Sequence, residues 1–400
     1  MTISAGGLAG TVATGLFAVL TQGFSGVIVA IVLGMAGCVG VLGVLLVSSR
    51  VLRPWRERRR RALAAPVRPW LLELATSDDA RVAVALSRIG ALDRRHWQAI
   101  EPTVVSLLGK VRGDLRSSFA RLFDERGVTE RALRDVRTGG RFRKIRRARA
   151  AAVLGDLGHT GALQALCALL DDRSPAVRIA AARALGKIGR AEAAGPLLGT
   201  LAGARRVPSD IVAYALIQIG PAAHADLIQA IGHAEPLVRA VAIEILGRTG
   251  AVAATGPVIG ALRADRSQDV RIRAARALGR LGLPIGMVPL LAATVPGEPS
   301  TVRAAAATAL GDLGAAEAAP ALEALLSDLA YQVAHDAAGA LRRLGSAGDE
   351  ALVRIMGAGV QPAAAHAVEV LAMASIEAER RPRRRPRALR ADRHATEARR

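Results

Sequence analysis

The sequence predicts an all-α protein, a right-handed α-solenoid of about ten helical hairpins preceded by an N-terminal transmembrane helix. Three observations predict it. A motif, Ala-Leu-Gly-x-Ile/Leu-Gly in its best copies, recurs about every 31 residues, with Gly127, Gly158, Gly189, Gly220, Gly250, Gly282, Gly314 and Gly345 closing successive copies at spacings of 31, 31, 31, 30, 32, 32 and 31. A fixed period of this length is the mark of a stack in which each unit buries its apolar face only against its neighbours. Hydrophobic residues make up 51% of the chain but aromatics only 2%, so the core is built from Ala, Leu, Val and Ile, which suits closely packed helices. Finally, residues 1–49 contain no Asp, Glu, Lys or Arg.

The N-terminal elements divide by composition. Residues 1–25 form a short uncharged segment; its apolar run Leu8–Leu20, at 13 residues, is too short to cross a bilayer alone. Residues 26–48 are the expected transmembrane helix, because Gly26–Val47 is an unbroken apolar run of 22 residues. At ~1.5 Å per residue such a helix matches a hydrocarbon core of ~30 Å. Gly26, Ala30 and Gly34 recur at i, i+4 and i+8, a small-residue face suited to packing against another membrane helix. Residues 49–66 are a basic juxtamembrane linker carrying Arg50, Arg53, Arg56, Arg58, Arg59, Arg60 and Arg61. Positive charge on this flank places the following domain on the cytoplasmic side of the plasma membrane, with a single pass and the N-terminus outside. A cleaved signal peptide would carry its positive charge before the apolar run.

Residues 67–376 carry the repeats. In the clearest second helix, Val177–Gly189, the residues Val177, Ala181, Ala184, Leu185 and Ile188 fall on one face at helical spacing. The closing glycine suits a C′ position that needs a positive φ. The first helix of the next hairpin follows, and Pro196, Pro257, Pro289 and Pro320 fall in its first turn, where a missing N–H has no partner to lose. Asp172, Asp265 and Asp328 mark the turn back into the next second helix. Degenerate copies at Gly90 and Ser375 extend the pattern at its ends, and the 37 residues between Gly90 and Gly127 make the first unit irregular.

These residues resemble the HEAT-repeat family, in particular its short bacterial units with Asp-x(5)-Arg followed by Ala-Ala-x-Ala-Leu-Gly-x-Ile-Gly, a type also found in bilin lyases. The resemblance is strong over 141–345 and weak before 128. It implies a right-handed superhelix that binds a partner along its groove. It also bears on Arg116, Arg147, Arg178, Arg239, Arg271 and Arg303, which share one register eleven residues before the closing glycine. In such folds an arginine there is a structural partner of turn acids and carbonyls, so the ladder is read as structural. Ser209 breaks it in the unit ending at Gly220.

The charge pattern points to what the repeat does not explain. The formal net charge is +21, and residues 50–61, 131–149 and 377–400 carry almost all of it. Arg141, Arg143, Lys144, Arg146, Arg147 and Arg149 crowd one second helix, with Arg146 standing where Val177 stands in the next unit. Setting aside the ladder residue Arg147, the set Arg141, Arg143, Lys144, Arg146 and Arg149 is a candidate patch for an anionic partner. Residues 377–400, with ten arginines and four acids, form a polybasic tail expected to be disordered. Arginine far outnumbers the three lysines, a bias of GC-rich bacterial genomes.

No catalytic, cofactor-binding or metal-ligating set emerges. The seven histidines form no HExxH pattern, Cys38 and Cys167 form no CxxC pair, and the glycines close repeats and form no phosphate-binding loop. The expected function is therefore that of a membrane-anchored cytoplasmic scaffold or adaptor, not an enzyme. It would bind a protein partner, such as a membrane enzyme or a signalling protein, along its groove, with anionic lipid headgroups as an additional contact. Nucleic-acid or anionic-lipid binding through the basic segments is the alternative, the nucleic acid disfavoured by the scarcity of aromatics for base stacking. A bilin-lyase-like activity is a lesser one.

Overall fold

The computed structural model describes residues 34–35, 37–44, 58–59, 61–76, 79–108, 114–138 and 143–380. The described residues are helices and turns with no strand. From Arg68 onward they form ten helical hairpins, and the chain divides into two compact units between Leu122 and Phe123.

The first unit contains the helices Arg68–Thr76, Asp79–Gly90 and Arg94–Leu108 and most of Asp114–Glu125. Val82, Ala85, Ile89, Trp97, Ile100, Val104, Phe119 and Leu122 are buried in it. Its large aromatics replace the alanines of the later repeats, which is why the motif is hard to read here. Gly90 is the last residue of its helix and is not among the positive-φ glycines, so it does not close a unit as the later glycines do.

The second unit stacks eight hairpins. Their second helices are Lys144–Leu157, Pro175–Ile188, Ser209–Ile219, Pro236–Arg248, Gln268–Leu281, Ser300–Leu313, Tyr331–Arg343 and Ala363–Arg380. Consecutive second helices pack side by side, and the shorter first helices lie against them as an outer layer. Gly127, Gly158, Gly189, Gly220, Gly250, Gly282, Gly314 and Gly345 all have φ between +63° and +72°, a positive φ that suits glycine at the closing position. Pro196, Pro257, Pro289 and Pro320 fall in the first turns of Ala194–Ala202, Thr255–Ala264, Met287–Ala292 and Ala319–Leu325. The last helix runs to Arg380 through Ser375, so the final copy has no closing turn.

A second glycine, three residues before the closing one, sets how near the layers approach. A Cβ on Gly155 would lie 2.5 Å from the Cα of Ala184, and one on Gly247 2.7 Å from the Cα of Ala277. Gly186, Gly279 and Gly311 meet Ala215, Ala309 and Ala340 in the same way. The series runs from Gly155 to Gly311, since Asp124 and Arg342 stand at this position in the units closed by Gly127 and Gly345, and within that run it breaks once. At the junction of Ser209–Ile219 with Pro236–Arg248 the corresponding residues are Ile217 and Ile245. These two helices touch far less than the pairs on either side, and Ala194–Ala202 also reaches Pro236–Arg248. Two branched side chains hold the backbones apart where a glycine and an alanine would let them meet. The regular stack is thus two blocks, 144–219 and 236–343.

Candidate functional site

The arginine ladder is buried inside the layers. Arg147 pairs with Asp172 at 2.8 Å, with both side chains at least nine-tenths buried. Arg239 makes a fork to Asp265, Nε to Oδ2 and Nη2 to Oδ1, each at 2.7 Å. Arg303 repeats this on Asp328 at 2.8 and 2.7 Å, and Arg271 pairs with Glu298. In each case the acid belongs to the turn of the following hairpin, so the pair staples one layer to the next. The second carboxylate contact shapes the turn: Oδ1 of Asp172, Asp265 and Asp328 accepts the amides of Ser174, Ser267 and Ala330, two residues on, at 2.8, 2.8 and 2.9 Å. Arg178 has Gly203 where the acid would stand, and it donates to the carbonyls of Asp172, Arg173 and Arg206 instead. Burial pushes the Asp265 carboxyl up, but the Arg239 hydrogen bond, the Ser267 amide and the charges of Arg239 and Arg271 outweigh it and hold it below its usual range. Asp328 is lowered in the same way by Arg303 and the Ala330 amide against its burial. The ladder arginines from Arg147 to Arg303 are structural, as the resemblance implied.

What remains for a partner is the solvent-facing side of the second helices. The positions nine, six and two residues before each closing glycine line up on one side of the stack, exposed or half-buried in the helices that follow except for Val241, which is buried. They are Arg149, Ala152 and Asp156; then Ala180, Arg183 and Lys187; then Ile211, Tyr214 and Gln218; then Val241, Glu244 and Arg248; then Arg273, Arg276 and Arg280. Three acids on this face are held by bases of the next layer. Lys187 pairs with Asp156 at 2.5 Å, Arg273 with Glu244, and Arg343 with Asp312 at 3.1 Å. Arg149, Arg183, Arg276 and Arg280 are exposed and have no ion-pair partner among the described residues. Tyr214, one of only two tyrosines in the chain, stands 57% exposed among them.

The predicted anionic-partner patch is partly brought together. Arg143, Lys144, Arg146 and Arg149 are exposed at and after the start of Lys144–Leu157, around Ile145, which is itself 76% exposed. Arg146 faces solvent at the register where Val177, Val238, Val270, Val302 and Val333 are buried. Arg141 lies outside the described residues. Sequence reasoning missed Arg183, Arg276, Arg280 and Tyr214. The signal was available in the 31-residue period, because projecting each second helix onto its exposed face places them in one column.

Of the juxtamembrane set, Arg58, Arg59 and Arg61 lie on short helical segments and are exposed; Arg50, Arg53, Arg56 and Arg60 lie outside the described residues, as do Gly26, Ala30 and the tail residues 381–400. In the part of the apolar run that is described, 34–35 and 37–44 are helical, and Met35, Val39, Val41, Leu42 and Val44 are 57–70% exposed. A Cβ added to Gly34 would meet nothing within 4 Å. Among the described residues one stretch, Ser209–Ala230, is long and apolar enough to span a membrane. It is broken by Gly220 at φ +69° and buries Val212, Leu216 and Leu227 in the stack, so it is two core helices of the solenoid.

No group of three or more His, Cys, Asp or Glu residues placed to hold a metal occurs among the described residues. Near the C-terminal end a cavity of about 440 Å³ is lined by His335, Gly339, Arg342, Arg343, Val370 and Met373. Beside it Tyr331 stacks on His335 with ring centroids 5.7 Å apart, and Glu369 lies 3.9 Å from the His335 ring and 4.0 Å from that of His366. No residue of the sequence reading fell in this group.

Comparison with known proteins agrees with this architecture. Residues 132–219 and 224–294 match the model of HEAT repeats, and residues 302–328 match that of the PBS lyase HEAT-like repeat. The break between the first two matches coincides with the Ile217–Ile245 junction. A search of curated proteins finds no match. Among solved structures, the karyopherin Kap121p bound to the SUMO protease Ulp1p aligns at 15% identity with a TM-score of 0.49, covering 78% of this chain and 39% of that one. Kap95p, from a structure on its binding to RanGDP, aligns at 13% identity with a TM-score of 0.48, covering 76% of this chain and 48% of that one. Human deoxyhypusine hydroxylase aligns at 20% identity with a TM-score of 0.28, covering 66% and 96%. The chain spans less than half the length of the two karyopherins it is similar to. The fold is an all-α solenoid built of HEAT-type hairpins.

Proposed function

We propose that this chain is a membrane-anchored cytoplasmic scaffold that holds a protein partner against the solvent-facing side of its second helices. The observation that carries the reading is the division of labour among its charges. The ladder arginines are consumed inside the stack, while Arg149, Arg183, Arg276 and Arg280 stand exposed beside Tyr214 on one face. A regular face repeated over consecutive layers is what a solenoid offers a long segment of another protein. The repeats match HEAT-type families, and two of the solved structures that the chain resembles were determined with, or in connection with, protein partners, Ulp1p and Ran. A scaffold reading also agrees with the lack of a catalytic constellation in the sequence.

The anchor is supported by the 22-residue apolar run, by the exposed apolar side chains of its described part and by the exposed Arg58, Arg59 and Arg61 that follow it. Those arginines also favour contact with anionic headgroups, worth ~1 kcal/mol for each base close to the surface. Proximity labelling from the C-terminus in native cells, with and without residues 1–49, tests both parts. The full chain should label one recurrent set of membrane-associated proteins, and removal of 1–49 should lose that set and shift the protein to the soluble fraction. Unchanged fractionation would remove the anchor from the account, and an unspecific label from the full chain would remove the scaffold.

A further inference from the structure

The first three layers of the second unit differ from those that follow. Along Lys144–Leu157, Pro175–Ile188 and Ser209–Ile219, the ladder residues Arg147 and Arg178 are consumed by internal contacts, and Lys187 holds Asp156. This leaves Arg143, Lys144, Arg146, Arg149 and Arg183 exposed against one exposed acid, Asp210. None of the five bases has an ion-pair partner among the described residues. Within the same stretch lie two exposed apolar surfaces, Ile145 at 76% and the Tyr214 ring at 57%. Beyond the Ile217–Ile245 junction acids join the bases on this face: Glu244 and Asp312 stand there paired with Arg273 and Arg343, Asp336 follows, and Arg276 and Arg280 remain exposed.

We infer that this three-layer patch is the docking site for a short acidic segment of a partner protein, one that carries an apolar side chain among its carboxylates. The inference rests on the second-helix face being the docking face and names the chemistry of what docks there. Exposed bases in excess attract an anion and raise its association rate. Ile145 and Tyr214 give it an apolar anchor, and Tyr and Arg are both among the residue types enriched at binding hot spots. Helix layers lie ~8–10 Å apart and an extended chain advances ~3.3 Å per residue, so carboxylates at every third residue would meet successive layers. A long polyanion fits worse. A duplex or a planar lipid surface continuing along the face would meet Glu244, Asp312 and Asp336.

The test uses the full chain in nanodiscs of neutral lipid and a fluorescent peptide of about fifteen residues, enough to cross three layers at that spacing. The peptide carries Glu at every third position and a central Leu, and anisotropy reports binding. The peptide should bind, and binding should weaken as salt rises. R149E/R183E should weaken it by about tenfold or more, as expected for charges at the contact. The same double change at Arg276 and Arg280, on the far side of the junction, should leave it within about twofold, because screening limits charges farther than ~10 Å. All four residues are exposed, so both variants keep the fold, which circular dichroism checks. No peptide binding, or equal losses from the two double variants, would overturn the assignment. So would phosphatidylserine vesicles or duplex DNA binding where the peptide does not. A photo-reactive group in place of the Tyr214 side chain separates the layers of the claim. A protein adduct formed there, with no peptide binding, sinks the acidic segment alone, whereas absence of both sinks the docking face with it.

Discussion

Arg239 and Asp265 show at residue scale what the repeat invests in its turns. The guanidinium fork spans two layers, and the same carboxylate holds the Ser267 amide in the turn before the next helix. Removing the arginine leaves a buried carboxylate without its charge partner, so Arg239→Ala should destabilise the fold by about 3 kcal/mol, in the range for breaking a buried pair. Urea unfolding of variant and parent measures it. The pair also sets an acid limit. Asp265 and Asp328 have folded-state pKa values below their ordinary 3.8, so in the interval between the folded and ordinary values the unfolded chain binds more protons. Their stabilisation is complete above the ordinary value and is lost as pH falls through the depressed ones. The thermal midpoint should therefore drop steeply below about pH 4, and D265N/D328N should flatten that drop. Much of this was legible in the sequence: Asp172, Asp265 and Asp328 and the arginine register were visible as a spacing. The partner was not. Each acid sits six residues before its own unit's register position, yet it pairs with the arginine of the layer before, because only the fold brings that guanidinium over the turn.

At the scale of the element, two glycines per unit do different work. The closing glycine turns the chain with a positive φ, and the sequence motif reveals that directly. The glycine three residues earlier lies within the helix and serves the neighbouring layer, which a single helix cannot reveal. Gly247→Ala would set a Cβ 2.7 Å from the Cα of Ala277. Backbone cannot yield as a side chain can, so overpacking of ~1–3 kcal/mol should exceed the ~1 kcal/mol gain in helix propensity. The thermal midpoint should fall. Gly199→Ala is the contrast, since a Cβ there meets nothing within 4 Å in an exposed helix position. It should keep the propensity gain and raise the midpoint. If both variants shift the same way, the close approach does not govern the stack. Where Ile217 and Ile245 replace this contact the layers part, and the unit ending at Gly220, where Ser209 breaks the arginine register, was the sequence's trace of it.

At the scale of the molecule, the chain joins three kinds of sequence: a charge-free apolar run, a nearly neutral stack and strongly basic segments. The ten hairpins were readable because periodicity is long-range order written along one dimension. The docking face was not, because exposure depends on how layers stack. Tyr214 looks unremarkable as one residue of Ser209–Ile219, and only alignment across layers sets it between Arg183 and Glu244. The basic run near Arg143–Arg149 was visible as a departure from the repeat, and the fold adds Arg183 from the next helix to it. The central claim, that the second-helix face holds a protein partner, is tested most directly by photo-cross-linking in native membranes. Photo-reactive residues would replace Ala180, Tyr214 and Arg276 on that face, and Gln164, Gly199 and Gln229 on the first helices. The account predicts discrete protein adducts from the first three positions and none from the last three. Adducts from the first helices alone, or none from either face, would contradict it.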